Sequence, residues 1–371
     1  MTRAADLANL IGNINAGGGG VNRNLVINGA MNVAQRGTSS TGLGATDGYY
    51  TCDRWHLDFA NTAGRLTMTQ DSSAPSGFAN SLKLACTTAD TSIASGEQFK
   101  IEHKIEGQNL QAFAKGTSDA KPFAVSFYVK GNASATYVCE LFDVDNSRQC
   151  SKTFNVTTDW TRIELTFPAD TTGAFDDDND QSLVLVFFLH AGSDRTSGTL
   201  NSSGFASSTN ANRAVGISSF FDSTDRTFFL TGVQLEIGQN PTEFEHEPVA
   251  QTEIKCYRYT QRLPHRDNTS GSGYASITSM GRHDSTTMNS SGTTLPVVMR
   301  ADSTMTTSGN FRIHHKGIAT DCDSLAIDDN IGTSGQINIA ATTSGSLVQG
   351  QAGQLQQSND PDAHVIFSAE L

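Results

Sequence analysis

Charge, proline and tryptophan are scarce in this chain of 371 residues: 17% are Asp, Glu, Lys or Arg, with 8 Pro and 2 Trp. Long helices want more Glu and Lys than that allows. The 34 glycines, with abundant Ser, Thr and Asn, suit short strands joined by small polar turns. Basic residues are outnumbered 25 to 38, a formal net charge of −13. Nucleic-acid binding needs a basic footprint, and a net anion associates poorly with anionic bilayers, so neither partner is expected. No run approaches the roughly 18 apolar residues of a membrane span, the best being Leu183 to Leu189. No membrane insertion is expected. The first twenty residues hold no apolar core followed by a small-residue cleavage site, so no secretory signal is expected either. Cys52, Cys86, Cys139, Cys150, Cys256 and Cys322 form no C-x-x-C, which excludes the usual zinc-ribbon and redox spacings. Buried free thiols are expected; Cys139 and Cys150, on two arms of one hairpin, are the pair to check.

What is present is alternation. Trp55, Leu57 and Phe59 share one face of CDRWHLDF, and Arg54, His56 and Asp58 share the other. Phe123, Val125, Phe127 and Val129 repeat the device, as do Ile163, Leu165 and Phe167. The run SLVLVFFLH is apolar on both faces and predicts a central strand covered twice. In NLVINGAMNVAQRG, Leu25, Ile27, Met31 and Val33 are candidate inward positions around a turn at Asn28-Gly29. No fixed period is visible, against a propeller or β-helix. The fold expected over residues 21–247 is an all-β, antiparallel jelly-roll β-sandwich. Residues 248–371, with strand-like GYASITSM, TTLPVVMR, STMTTSGNFRIHH, GQINIAATT and DAHVIFSAEL, predict a smaller β-domain. Ahead of both, Leu7, Leu10, Ile11 and Ile14 trace one stripe of a short N-terminal helix. About a dozen residues is marginal alone in water, so this helix should dock as an anchor, with Gly17–Gly20 as its linker.

Between the two β-regions runs TGVQLEIGQNPTEFEHEPVAQTEIKCYRYT, a strand stopping at Gly238, a turn at Asn240-Pro241, and Phe244 set between Glu243 and Glu245. That seam, taken in order with NLVINGAMNVAQRG, CDRW, KIEGQNLQ, KPFAVSFYVK, TTDWTRIELTFPADTTG and FFLHAGS, resembles a sandwich module of bacteriophage tail fibres and related virion surface proteins. The resemblance covers most of residues 22–262. TLPVVMRA and the terminal FSAEL are similar to the distal module that accompanies it. Family members carry an aromatic after H-A-G-S; Phe205 is the counterpart here. The resemblance implies a carbohydrate-binding-like fold and host-surface recognition. It also implies a place in the virion, assembled in the host cytoplasm beside other tail or head proteins, as a homo-oligomer, most simply a trimer. A non-enzymatic tail-fibre subunit binding host surface polysaccharide is the first expectation. A capsid decoration, head fibre or tail adaptor without glycan binding is the second, and a polysaccharide-degrading tailspike the third.

Chemistry-bearing motifs are few. G-x-S-x-G, H-E-x-x-H and the P-loop are absent, so no catalytic residue is assigned. GLGATDG at 42–48 is one residue too long for a dinucleotide fingerprint. His314 and His315, adjacent on a strand, point to opposite faces and cannot share a metal. Asp176, Asp178 and Asp180 in FDDDNDQS resemble half a calcium loop, but Gln181 stands where glycine is required and Phe187 where the bidentate acid belongs. They are the candidate metal ligands in an otherwise cofactor-free chain, against a solvated acidic turn. Glu243 with Glu245, Glu140 or Asp143 are the carboxylates a glycosidase would draw on; the alternative is that the seam acids fix the turn around Phe244. Trp55 should be buried, and Trp160 partly exposed, packed at a sheet edge or stacked on a sugar. The carbohydrate-binding residues are not legible.

Overall fold

The computed structural model describes residues 22–265, 273–329 and 332–371. The anchor stripe Leu7, Leu10, Ile11 and Ile14 lies outside them. The chain forms two compact units, one up to Thr252 together with Leu371, the other Glu253–Glu370. Residues 247/248 were the boundary expected from sequence.

Among the described residues the first unit has thirteen strands: β1 (Ser39–Leu43), β2 (Gly48–Tyr49), β3 (His56–Ala60), β4 (Arg65–Asp71), β5 (Ser81–Thr88), β6 (Gln98–Glu106), β7 (Phe123–Gly131), β8 (Ala135–Asp143), β9 (Arg148–Val156), β10 (Thr161–Phe167), β11 (Gln181–Ala191), β12 (Ala206–Ser207) and β13 (Thr227–Ile237). They make two sheets, β1-β4-β5-β13-β7-β10 and β12-β9-β8-β11-β6-β3-β2, and every pair is antiparallel. Apart from the hairpins β2–β3, β4–β5 and β8–β9, most connections cross between the sheets. The fold is a jelly-roll β-sandwich.

Alternation fills the core. Phe123, Val125, Phe127 and Val129 of β7 are fully buried against Leu183, Leu185, Phe187 and Leu189 of β11 and against Trp55 and Leu57. Each such side chain contributes roughly 1.5–3 kcal/mol. The other face of β11 is apolar too. Val184, Val186 and Phe188 join Val138 and Ala214 in a second cluster, roofed by Leu200 and Ile217 from the segment that follows β11. That segment opens with the short helix α1 (Ser193–Thr196).

NLVINGAMNVAQRG is not a strand, contrary to its alternation. Asn28 and Met31 have φ near 60°, which breaks any ladder, and Val26 rather than Ile27 is buried. Asn28 replaces the ladder: its amide donates to the carbonyls of Val33 (2.8 Å) and Asp53 (3.0 Å) and accepts from the Val33 N–H (3.0 Å). The indole N–H of Trp55 donates to the Asn28 carbonyl at 3.2 Å. Further along, Leu25 N donates to the Leu235 carbonyl and Val233 N to that of Gly29, binding this segment to β13 past its bulge. A side chain at Gly29 would fall 2.1 Å from the Val233 carbonyl oxygen, so the close approach needs glycine.

The handover between units is a helix, α2 (Val249–Tyr257), leaving Ile254 exposed and Cys256 buried. The second unit holds a three-stranded sheet with His364–Ser368 between Thr260–Leu263 and Thr304–Ser308. Its seven-stranded sheet has Ala352–Gln357, Ser276–His283 and Met288–Thr294 at its centre. Ile313, Ile337, Ile339, Leu355, Val365 and Phe367 fill its core. Residues 295–300 of the TTLPVVMR segment form a loop, not a strand, because Pro296 cannot donate to a ladder.

Replacing Asn28 by alanine strips partners from three buried backbone groups at once. The expected loss is about 3 kcal/mol or more in urea unfolding followed by Trp55 fluorescence; a loss below about 1 kcal/mol would contradict the bracing role.

Candidate functional site

The outward face of the seven-stranded sheet gathers polar chemistry. In β6, Phe99, Ile101 and Ile105 turn into the sandwich, which leaves Gln98, Lys100, Glu102 and Lys104 on the other face. In β3, Leu57 and Phe59 turn in and His56 and Asp58 face out. The register sets His56 opposite Glu102, Asp58 opposite Lys100, and Tyr49 of β2 opposite His56.

The result is a charge ladder. Lys100 Nζ lies 2.6 Å from Glu102 Oε1 and 3.5 Å from Asp58 Oδ2. His56 Nδ1 lies 3.2 Å from Glu102 Oε2, and the Tyr49 ring leans on the His56 ring at 4.9 Å between centroids. Gln98 Nε2 donates to Asp58 Oδ1 at 2.7 Å, and Arg195 Nε, from the roof, donates to Gln98 Oε1 at 2.9 Å. On the roofed side Arg213 pairs with the buried Glu140 and lies over the rings of Phe142 (4.5 Å) and Phe188 (5.4 Å). Burial pushes Glu102 upward, but the His56 hydrogen bond and the Lys100 charge outweigh it and bring its carboxyl down to about 2. Burial also holds Lys104 below the ordinary lysine range. Donors and acceptors thus alternate along this largely buried row, edged by the Tyr49 phenol, which with Lys104 donates to the Leu371 carbonyl. Sugar hydroxyls, which donate and accept together, match such a face.

The sequence-derived candidates fall elsewhere. Asp176, Asp178 and Asp180 lie in an exposed turn whose backbone is stitched to its neighbours: the Asp178 and Asp180 carbonyls accept from Gln108 N (2.9 Å) and Gly107 N (3.1 Å). Their three carboxylates do not converge; among the described residues the one group of His, Cys, Asp or Glu close enough to share a metal is Asp90, Glu97 and His190. The seam acids form a clasp. Glu236, fully buried, accepts from Thr242 N (2.7 Å), Thr242 Oγ1 (2.8 Å) and Gln234 Nε2 (2.9 Å). Glu245 accepts from the backbone of Asn22 and Asn24, and Glu243 lies 3.6 Å from Arg162. Glu140 and Asp143 are committed to Arg213 and Lys115. Trp55 is fully buried, while Trp160 is half-buried, edge-on to Phe229 at 6.0 Å on the six-stranded sheet. Phe205 packs against Phe123 at 5.5 Å. His315 turns inward to meet His283, 4.9 Å between rings, a partner that sequence reasoning missed. All six cysteines are free; burial pushes Cys150 up to about 11 and Cys52 to about 12.

The ladder residues Lys100 and Glu102 were also missed. Their signal was available in QFKIEHKIE, where apolar and charged positions alternate from Gln98 to Glu106. The partner strand could not be named without the register.

No family profile and no curated protein matches the chain. Solved structures similar to it include one described as CBM4 structure and function, at 11% identity over 57% of this chain and 99% of that one, TM-score 0.30. Another is TmCBM61 in complex with β-1,4-galactotriose, at 10% identity over 58% and 99%, TM-score 0.29. A third is the enzymatically active domain of bacteriophage CBA120 tailspike protein 4, at 11% identity over 58% of this chain and 21% of that one, TM-score 0.31. The fold assignment rests on this chain's own strand order. No helix among the described residues is long and apolar enough to cross a membrane.

A carboxyl held low in the folded state stabilises it above the unfolded value and loses that contribution as pH falls through the folded one. For Glu102 the window runs from about 4.5 down to about 2, with on the order of 3 kcal/mol at stake. Acid unfolding of Glu102→Gln should therefore lack this component and be shallower across that window; a curve parallel to wild type would contradict the ladder's ionisation.

Proposed function

We propose that the chain is a non-enzymatic subunit of a phage surface fibre that holds host glycans on the outer face of its seven-stranded sheet. The ladder Asp58–Lys100–Glu102–His56, flanked by Tyr49, carries the proposal. The ordered motif string from NLVINGAMNVAQRG to TEFE, similar to virion surface modules, supports the fibre assignment. The ionisation pattern supports binding over cleavage. Glycoside hydrolysis needs a carboxylic acid with a raised pKa, whereas Asp90, Glu102 and Asp170 are displaced downward.

In the second unit Met280, Ile318, Val348, Val298 and Tyr274 are each more than 40% exposed, surface that self-association would cover. A trimer would multiply weak sugar contacts into firm attachment. Light scattering of the full chain should give three copies of 39.5 kDa; a monomer contradicts this part of the reading.

Affinity electrophoresis in gels containing host surface polysaccharide tests the whole. Wild type should be retarded, Lys100→Met at least tenfold more weakly, and Trp160→Ala unchanged. No new reducing ends should appear on prolonged incubation. Equal retardation of Lys100→Met and wild type, or release of reducing ends, would overturn the proposal.

A further inference from the structure

We propose that Asp90, Glu97 and His190 form a binding site for a divalent metal ion of the zinc class at one end of the sandwich. The site is apart from the sugar-binding face and independent of that reading.

Two elements deliver the ligands. His190 sits near the end of β11, one residue past an irregularity in its pairing with β6, between Phe188 and His190. Phe188 faces the roof and Leu189 the core. The extra residue sets His190 opposite Phe99, a core position, and its ring meets Phe221 at 5.3 Å between centroids. Without the bulge, strict alternation would have turned this imidazole toward the roof. Glu97 immediately precedes β6, and Asp90 lies in the β5–β6 connection.

Their ligand atoms lie within 4.8 Å of one another, with Glu97 Oε2 3.3 Å from His190 Nε2. Neighbouring ligands of a tetrahedral zinc with bonds of about 2.0–2.1 Å are separated by about 3.3 Å. Asp90 and Glu97 are each 6% exposed and His190 is wholly buried.

Buried charges are either paired or bound to a metal. Among the described residues no lysine or arginine pairs with Asp90 or Glu97. Asp90 Oδ2 also accepts hydrogen bonds from Thr62 Oγ1 (2.9 Å) and Ala63 N (2.7 Å), which fix its carboxylate. Two carboxylates and an imidazole thus face one point, with no lysine or arginine among the described residues beside them.

The surroundings are built as metal sites are. Ser219 Oγ lies 2.8 Å from His190 Nδ1, the outer nitrogen, and also accepts from Phe221 N, which fixes the ring's rotation. Asp90 N donates to the Phe221 carbonyl and Gly192 N to that of Glu97, both at 2.8 Å. Gly192 allows its segment to close on the loop before Glu97, since a Cβ there would fall 1.9 Å from the Ala94 carbonyl oxygen. An imidazole with two carboxylates suits zinc better than calcium, which collects six to eight oxygens. The metal would tie the end of β11 to the β5–β6 connection.

The test uses the full chain, dialysed against a chelator and titrated with Zn2+, Co2+ and Ca2+. One equivalent of Zn2+ should bind, Co2+ should give a visible ligand-field band, and both should raise the thermal midpoint while Ca2+ does not. Glu97→Gln should weaken Zn2+ at least tenfold. Ser219→Ala keeps all three ligands and should weaken it by about ten- to a hundredfold. Binding monitored through the His190 ring nitrogens in the wild type needs no variant and should shift Nε2 alone. Absence of stoichiometric binding overturns the proposal and identifies a metal-free Ser219–His190–Glu97 hydrogen-bonded chain. So does preference for Ca2+, or Zn2+ binding that leaves His190 Nε2 unmoved.

Discussion

Strand β11 is apolar on both faces, and the first unit is arranged around satisfying it. One face needs a second sheet, which makes the sandwich. The other needs a roof, supplied by the segment beginning at α1, where Leu200, Ala214 and Ile217 cover Val184, Val186 and Phe188. Because the roof occupies only the β8–β11 part of that face, the polar side chains of β3 and β6 are left beside it. The polar face is a consequence of where the apolar cover ends.

Polar groups inside and beside this core are held in pairs. Glu140 has Arg213, Asp143 has Lys115, Glu102 has Lys100 and His56, and Glu236 has Thr242 and Gln234. Removing one member of such a pair strands the other, so these contacts fix geometry more than they add net stability. The ladder is accordingly stiff, which suits a surface that must present donors and acceptors at set spacings without paying ordering entropy on binding.

Much of this was legible in the residues. Alternation in β3, β7 and β10 placed the correct side chains inward, and the unbroken apolar run of β11 announced its double cover. Alternation misled at Leu25–Val33, where the Asn28 side chain offers backbone partners that no hydrophobic pattern reveals. It was also silent on TTLPVVMR, since apolar residues beside a proline fit a loop as well as an edge strand. The ladder residues stayed hidden for a different reason. Lys100 and Glu102 alternate visibly within β6, but their meaning depends on His56 and Asp58, more than forty positions away, and only register joins them. Asp176, Asp178 and Asp180 drew notice by being close in sequence, whereas Asp90, Glu97 and His190 are close only in space.

Hydrogen–deuterium exchange of the intact chain, with and without host surface polysaccharide, measures the central claim most directly. Added glycan should slow exchange in peptides covering His56–Ala60 and Gln98–Glu106 and leave those around Trp160 and Phe229 unchanged. Protection confined to the six-stranded sheet, or none anywhere, would contradict a sugar-holding face on β3 and β6.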